Sequence, residues 1–306
     1  MSSQRKIIQF NFEEYTECPK DWDLVKIAGC PMMDNFQNSR EMGVYFKKIN
    51  QDIIWVIIRR YDKVFAKFII VKKQNSLFLW KAPIIRFYDP ECIKVFIDYL
   101  LQKKKNIEIV FSVLMPQEEL YLLNKGFTKE DSYWTVFLDT LRKDSTFSGM
   151  ASDKIRNYKK CLNYKCGLNL CMNLSSGQKK TFIQNLKKYS GNDENLILDF
   201  KISALIETPN TRVVAVYFNE TQIAGALLLH TPNICEIRYS YTDYNFRNLT
   251  PLTYLYITLY NNTKGGLIDL SGLTGDNNPE KLNINLYKTF FGGFIYEFKR
   301  FKFIKK

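Results

Sequence analysis

Two stretches of this chain follow the same pattern, and that repeat predicts the fold. Residues 53–80 read IIWVIIRRYDKVFAKFIIVKKQNSLFLW, and residues 211–241 read TRVVAVYFNETQIAGALLLHTPNICEIRYSY. Each stretch has an apolar segment, a polar turn, a second apolar segment, a polar break and a third apolar segment. These segments are rich in Val, Ile, Phe and Tyr, which β-strands favour. We therefore predict three consecutive strands in each half of the chain.

The repeat continues beyond both blocks with a helix, a strand, a short helix and a last strand. The patterns that predict these four elements lie at 90–105, 107–114, 116–127 and 133–139 in the first half, and at 249–266, 266–272, 278–294 and 295–303 in the second. Both halves therefore have the order β-β-β-α-β-α-β, and a helical segment near 140–190 joins them. We predict two α/β units, 1–145 and 146–306, with the active site in the second. Two unrelated α+β domains are the alternative.

Composition limits the classes of protein and of partner. The chain has 306 residues, of which 46% are hydrophobic, enough for a large core or for two domains. No apolar run is long enough to span a bilayer, and the N-terminus has no apolar segment of signal-peptide length. We therefore expect a cytoplasmic protein, free or associated with the inner membrane surface. The net charge of +13 favours anionic partners, although solvated lysine-rich faces would give the same balance.

Metal and nucleophile chemistry find little support in the sequence. The seven cysteines include no C-x-x-C pair, so we expect buried free thiols and no metal site. The only histidine, His230, ends an apolar strand just before Thr-Pro, which suits a turn or capping position better than a catalytic one. No G-x-S-x-G nucleophile elbow occurs.

Three motifs resemble one known family. They are GFTKEDSYWTVFLDTLRKDSTFSGMASDKIRNYKKCLNYKCGLNL at 126–170, IAGALLLHTPN with IRYSYTD at 223–243, and DLSGLTGDNNPEKLNINLYKTFFGG at 269–293. The element order resembles the GNAT acyltransferase fold, and two such units in tandem resemble the FemABX family of peptidoglycan-bridge aminoacyltransferases. The resemblance covers most of the chain from about residue 40 and implies, in each unit, a mixed, mostly antiparallel sheet flanked by helices.

The turn that would bind the acyl donor departs from the pattern of acetyl-CoA enzymes. GNAT enzymes that use acetyl-CoA bind its pyrophosphate on a glycine-bearing R/Q-x-x-G-x-G/A turn. If Arg247 starts the equivalent turn here, Thr250 and Leu252 replace both glycines, which argues against acetyl-CoA. The FemABX proteins are similar in lacking that turn, and the family takes aminoacyl groups from charged tRNA. We therefore expect aminoacyl-tRNA, acyl-CoA or acyl-carrier protein as the donor, although no long charged arm for tRNA is visible.

The resemblance implies that the catalytic residues lie in the second unit. The family's lysine before its Phe-Gly turn sits in the site and stabilises developing negative charge, and Lys288 matches it. Asp269 matches the family's aspartate-x-x-glycine, where a carboxylate binds an amine, acts as a base or caps a turn. We add Tyr239 as a phenol that faces the acceptor. Lys288, Asp269 and Tyr239 are therefore our predicted catalytic residues.

Five further residues are predicted to bind substrate. Tyr287 precedes Lys288, and Tyr241 shares a strand face with Tyr239, with Arg238 on the opposite face. Arg156 and Lys160 are four apart and share a helix face, with Ile155, Tyr158 and Leu162 inward. Arg247 starts the turn described above. Core packing for the tyrosines and solvent exposure for the basic residues are the alternatives.

These observations predict an acyltransferase that moves an acyl or aminoacyl group to an amine acceptor, a small molecule or a cell-envelope or sugar-nucleotide precursor. One alternative is an N-acyltransferase that uses acyl-CoA or acyl-carrier protein on a small amine. Another is a non-catalytic basic protein of the same fold that binds tRNA or other RNA.

Overall fold

The computed structural model describes residues 10–25, 31–140, 149–163, 167–190, 195–263, 265–273 and 279–305. The chain forms two compact units. Unit 1 comprises residues 1–132 with 298–306, and unit 2 comprises residues 133–297. The end of the chain therefore packs with unit 1. The division into 1–145 and 146–306 follows the sequence repeat rather than these compact units, and it stays a prediction.

The described residues form thirteen strands, eight α-helices and four 3₁₀ helices. The strands are β1 (Phe10–Tyr15), β2 (Ile53–Arg60), β3 (Lys63–Lys73), β4 (Ser76–Leu79), β5 (Ile84–Ile85), β6 (Asn106–Val110), β7 (Thr128–Asp139), β8 (Leu168–Cys171), β9 (Thr211–Phe218), β10 (Thr221–His230), β11 (Ile234–Thr242), β12 (Leu267–Asp269) and β13 (Phe294–Phe303). The α-helices are α1 (Arg40–Lys48), α2 (Pro90–Gln102), α3 (Pro116–Asn124), α4 (Ser152–Asn163), α5 (Ser176–Ser190), α6 (Asn195–Ile206), α7 (Pro251–Asn262) and α8 (Pro279–Thr289). The 3₁₀ helices are Lys20–Leu24, Pro31–Met33, Phe36–Asn38 and Tyr244–Leu249.

The sheet of unit 1 has the strand order β1-β2-β3-β4-β6, followed by the end of β13, and β5 pairs with β3. Strands β4 and β6 are parallel, and the other pairs of this sheet are antiparallel. Helix α2 begins where Asp89 accepts hydrogen bonds from the backbone of Glu91 and Cys92. Its apolar side, which includes Phe96 and Leu100, packs on the sheet in one buried cluster.

The sheet of unit 2 begins with the end of β7 and continues β12-β11-β10-β9-β8. Strands β11 and β12 are parallel, and the remaining pairs are antiparallel. Both halves thus contain the predicted order β-β-β-α-β-α-β, which the structure confirms, with the short β5 added in the first half. The physical basis is local for the three consecutive strands of each half, because the pairs β2–β3, β3–β4, β9–β10 and β10–β11 each form across a short polar turn.

Helix α7 covers one face of the sheet in unit 2. Leu255 and Leu259 are buried in a cluster that also contains Val214, Leu228 and Ile237 from three strands. A fully buried aliphatic side chain of this size contributes about 1.5–3 kcal/mol to stability. This side of the sheet is therefore packed core, and the polar groups described below lie at its other face and at the end of β12.

A β-bulge interrupts β11 where it approaches that polar region. Leu227 on β10 pairs with Tyr239, and the next residue, Leu228, pairs with Ile237. Arg238 is therefore the extra residue of the bulge. Bulges redirect side chains and break the strict alternation of a strand. The prediction that Arg238 lies on the strand face opposite to that of Tyr239 assumes this alternation, and it does not hold at the bulge.

Candidate active site

The candidate site is built around a tight turn at the end of β12. Asp269 is 1% exposed, and its Oδ1 accepts hydrogen bonds from the backbone N–H of Ser271, at 2.8 Å, and from the hydroxyl of Thr135. Ser271 and Gly272 have φ values of 53° and 44°, both in the left-handed region. The Asp269 carboxylate offsets the cost of this backbone by satisfying the Ser271 amide, as Asp side chains do in turns.

Lys288, near the end of α8, binds this turn through its side chain. Its Nζ donates to the carbonyl oxygen of Gly272, at 3.0 Å, and to that of Ser271. Burial lowers the pKa of Lys288 to about 8, although the nearby Asp269 acts in the opposite direction. An ammonium group has three N–H donors, and among the residues that the structure describes only these two carbonyls accept from it, which leaves one donor without a described partner. At neutral pH the group is mostly charged.

Strand β7 holds the turn from the other side. The phenolic oxygen of Tyr133 accepts a hydrogen bond from the backbone N–H of Gly272 at 2.8 Å. The same peptide group presents the Ser271 carbonyl to Lys288. Leu273, the next residue, donates its N–H to the carbonyl of Trp134 at 2.7 Å. Contacts with β7 therefore hold the turn, and the carbonyls of the turn hold the Lys288 ammonium.

A second buried carboxylate lies beside Asp269. Glu236 on β11 is 3% exposed and is the direct register partner of Asp269 in the parallel pair β11–β12. Arg238 donates from Nη1 to Glu236 Oε1 at 3.2 Å, and the Ser271 hydroxyl lies 3.5 Å from the same oxygen. Burial by itself lowers the pKa of Arg238, yet the Glu236 charge keeps it raised. Two carboxylates and two cations thus share one small region, which we call the Lys288 cluster: Thr135, Glu236, Arg238, Asp269, Ser271 and Lys288.

The structure brings together the predicted residues Lys288 and Asp269. The hydrogen bonds of Asp269 are those of a turn cap, one of the roles that the sequence left open. Tyr239 follows the bulge, and the guanidinium carbon of Arg238 lies 5.8 Å from the centre of its ring. The catalytic roles of all three residues stay predictions.

The two tyrosines predicted to bind substrate are packing residues in this structure. The Tyr287 hydroxyl shares a hydrogen bond with Thr253 at 3.1 Å, and its ring contacts Phe291 edge-on. The buried Tyr241 ring packs against Phe182 of α5, and its hydroxyl donates to Gln222 of β10 at 2.5 Å. Burial raises the pKa of both phenols. Their substrate-binding roles stay predictions that these contacts do not favour.

The predicted basic residues lie at the surface. Arg156 and Lys160 are exposed on α4, and Arg247 is exposed on the 3₁₀ helix Tyr244–Leu249. Among the described parts of the chain, no hydrogen bond or ion pair joins their side chains to the Lys288 cluster. The buried residues of α4 are Lys154, Tyr158 and Cys161. Leu162 is 58% exposed, so the prediction that it faces inward is wrong. Substrate binding by the three basic residues stays a prediction.

Sequence reasoning missed several residues of the site. Lys154 was not singled out, yet its Nζ lies 3.8 Å from the centre of the Tyr287 ring, and burial lowers its pKa. The available signal was its spacing from Tyr158 and Cys161, at i, i+4 and i+7. Tyr133 and Thr135 carried no local signal, because their partners lie more than a hundred residues later in the chain.

We find no site for metal, thiol or histidine chemistry among the residues that the structure describes. No group of three or more His, Cys, Asp or Glu side chains could hold a metal ion there. The Cys235 thiol is buried, which raises its pKa to about 12. His230 ends β10, where burial lowers its pKa and the charge of Arg212 adds to the effect. None of the described helices is long and apolar enough to cross a bilayer.

Comparison with solved structures identifies proteins with a similar fold. No family model matches the chain, and no curated protein matches it in sequence. The crystal structure of FemX has a TM-score of 0.75 at 12% identity, over 95% of this chain and 97% of that one. A tandem GNAT protein from the clavulanic acid biosynthesis pathway has a TM-score of 0.56 at 10% identity, over 96% and 98% of the two chains.

A third similar structure is the C-terminal domain of a putative lysylphosphatidylglycerol synthetase from Agrobacterium fabrum, with a TM-score of 0.54 at 9% identity over 87% of this chain and 88% of that one. Identities this low show the fold alone. The three structural similarities confirm the predicted fold class and the predicted resemblance to tandem GNAT proteins. This chain has the tandem GNAT fold of the kind seen in FemX.

Proposed function

We propose that this protein is an acyltransferase that moves an acyl or aminoacyl group from an activated donor to an amine acceptor. The observation that supports this most directly is the Lys288 ammonium, bound to two carbonyl oxygens of the Ser271–Gly272 turn. Attack of an amine on an acyl carbon produces a tetrahedral intermediate with a negatively charged oxygen. A cation that is already positioned stabilises that charge without reorganising when the reaction occurs.

The third N–H of Lys288 is the donor that this mechanism uses. In the reaction the new C–N bond forms, the bond between the acyl carbon and the donor's oxygen or sulfur breaks, and the leaving group takes up the proton that the amine loses. With a pKa of about 8, Lys288 is close to the value at which a group exchanges protons efficiently near neutral pH. The donor is already activated, so this route needs no nucleophilic side chain.

Fold and charge together support the substrate class that we propose. We propose an acceptor of the cell-envelope or sugar-nucleotide precursor type and a donor that is aminoacyl-tRNA, acyl-CoA or acyl-carrier protein. The fold shared with FemX supports this, and so does the net charge of +13, since all three donors are anionic. We further propose that the protein acts in the cytoplasm or at the inner membrane surface.

A transfer assay with matched variants tests the proposal. The purified protein is offered each of the three donors with peptide, sugar-nucleotide and small amine acceptors, and products are measured by mass spectrometry. Lys288→Met should lower the rate about 10²–10³-fold, the usual effect of losing one such donor. Lys288→Arg should keep part of the rate and lose the decline in activity above a pH of about 8, because arginine stays charged there.

Lys159→Met is the matched control, since Lys159 is exposed on α4. It should leave the rate unchanged. Transfer from none of these donors, or a wild-type rate for Lys288→Met, would overturn the proposal. Salt-dependent RNA binding without transfer would instead favour the non-catalytic alternative.

A further inference from the structure

Most N–H donors of Arg238 have no acceptor among the residues that the structure describes. A guanidinium group has five N–H donors. Among the described residues, only Glu236 accepts a hydrogen bond from this one, through a single contact of 3.2 Å from Nη1. The Arg238 side chain is 32% exposed, whereas its partner Glu236 is 4% exposed. The buried carboxylate therefore anchors the guanidinium while the remaining donors stay accessible.

The position of Arg238 connects it to the Lys288 cluster. The bulge in β11 removes Arg238 from the pairing between β10 and β11. From Arg238, polar contacts run through Glu236 to the Ser271 hydroxyl, and the Ser271 carbonyl accepts from Lys288. A ligand held by the free side of Arg238 would thus lie close to the turn that holds the Lys288 ammonium.

The charges of the Lys288 cluster favour a carboxylate over a phosphate dianion as the bound anion. Asp269 and Glu236 contribute two negative charges, and Arg238 and Lys288 contribute two positive ones, so the cluster is neutral when Lys288 is protonated. A carboxylate adds one negative charge, whereas a phosphate dianion adds two beside two buried carboxylates, at a higher electrostatic cost. A carboxylate also matches the planar fork of a guanidinium and binds it through two hydrogen bonds.

We propose that Arg238 is an anion-recognition residue, and that the acceptor is an amino acid or peptide whose carboxylate binds there while its amine reaches the acyl donor. This inference rests on the proposed function for the role of the amine. The carboxylate site itself is independent of it. Arg238 thereby determines specificity, and Glu236 is a positioning residue that acts through it.

Chemical protection of the unaltered protein tests the site without any transfer activity. Phenylglyoxal modifies accessible guanidinium groups, and mass spectrometry of peptides gives the modification rate of each arginine. Saturating N-acetylglycine, which has a carboxylate, should slow modification of Arg238 by about fivefold or more. N-acetylglycinamide, its neutral counterpart, should give no protection. Arg212, exposed on β9 outside the cluster, is the internal control and should react equally fast with either probe.

Three outcomes would overturn the inference: no protection of Arg238, equal protection of Arg238 and Arg212, or stronger protection by inorganic phosphate than by N-acetylglycine. Where transfer is detected, Arg238→Lys should raise KM for a carboxylate-bearing acceptor and leave KM for its amide unchanged. A purely structural role would change both acceptors alike. Failure of transfer with intact protection overturns only the proposed function, and intact transfer without protection overturns only this site.

Discussion

The half-buried Lys288 gives a quantitative prediction about stability. Burial lowers the pKa of this group to about 8, whereas a lysine in an unfolded chain titrates at about 10.4. Between these two values the unfolded chain binds more protons than the folded one, so the free energy of unfolding rises with pH. The penalty for burying the charge is fully present below about pH 8 and is relieved as pH rises towards about 10.4. From about pH 7 to about pH 9.5, Lys288 alone adds about 2 kcal/mol to stability.

Lys288→Met isolates this contribution, because every other titrating group remains in both proteins. The free energy of unfolding is measured by urea denaturation at the two pH values, and the difference between wild type and variant is compared. Between the lower and the higher pH, the free energy of unfolding of the wild type should rise by about 2 kcal/mol more than that of the variant. Lys159→Met, on the exposed side of α4, should give the same difference at both pH values. If the difference in the free energy of unfolding between wild type and Lys288→Met did not change with pH, or changed with the opposite sign, burial would not lower the pKa of Lys288.

Two further variants test the packing that supports the site and the fold, each by urea denaturation. Thr135→Val removes the hydroxyl that donates to the buried carboxylate of Asp269, and should cost about 1–3 kcal/mol; unchanged stability would show that this hydrogen bond is not made. Gly43→Ala places a Cβ within 1.9 Å of the buried Trp55 ring, and should cost about 1–3 kcal/mol through overpacking. Gly177→Ala, where nothing lies within 4 Å of the added Cβ, is its control and should not destabilise; equal effects of the two would contradict the contact.

The elements of the fold were predictable because their causes are local. Alternating apolar segments between short polar turns predicted β2, β3, β9 and β10, and the proline and apolar spacing near residue 90 predicted α2. The repeat then predicted that both halves share one topology. The N-terminal forty residues matched no pattern, and in the structure β1 pairs with β2 at the edge of the sheet. An edge strand needs only one partner, so its sequence carries a weaker signal.

The candidate site was only partly predictable. Lys288 and Asp269 were identified because the motif at 269–293 resembles a family that uses those positions. Arg238 was assigned to the wrong position, since strand alternation does not reveal which residue is the extra one in a bulge. Leu162 was placed inward where Lys154 is buried instead, because a short helix with several lysines admits more than one apolar side.

The sequence by itself determined the order β-β-β-α-β-α-β in each half, the tandem repeat and the motif that contains Asp269 and Lys288. Only the tertiary structure decided how the turn after Asp269 is held. Tyr133 and Thr135 reach it from β7, and Glu236 reaches it from β11, because these strands flank β12 in one sheet. The physical reason is that hydrogen bonds between distant segments depend on strand pairing and register, which the whole sheet sets and no local stretch of sequence specifies.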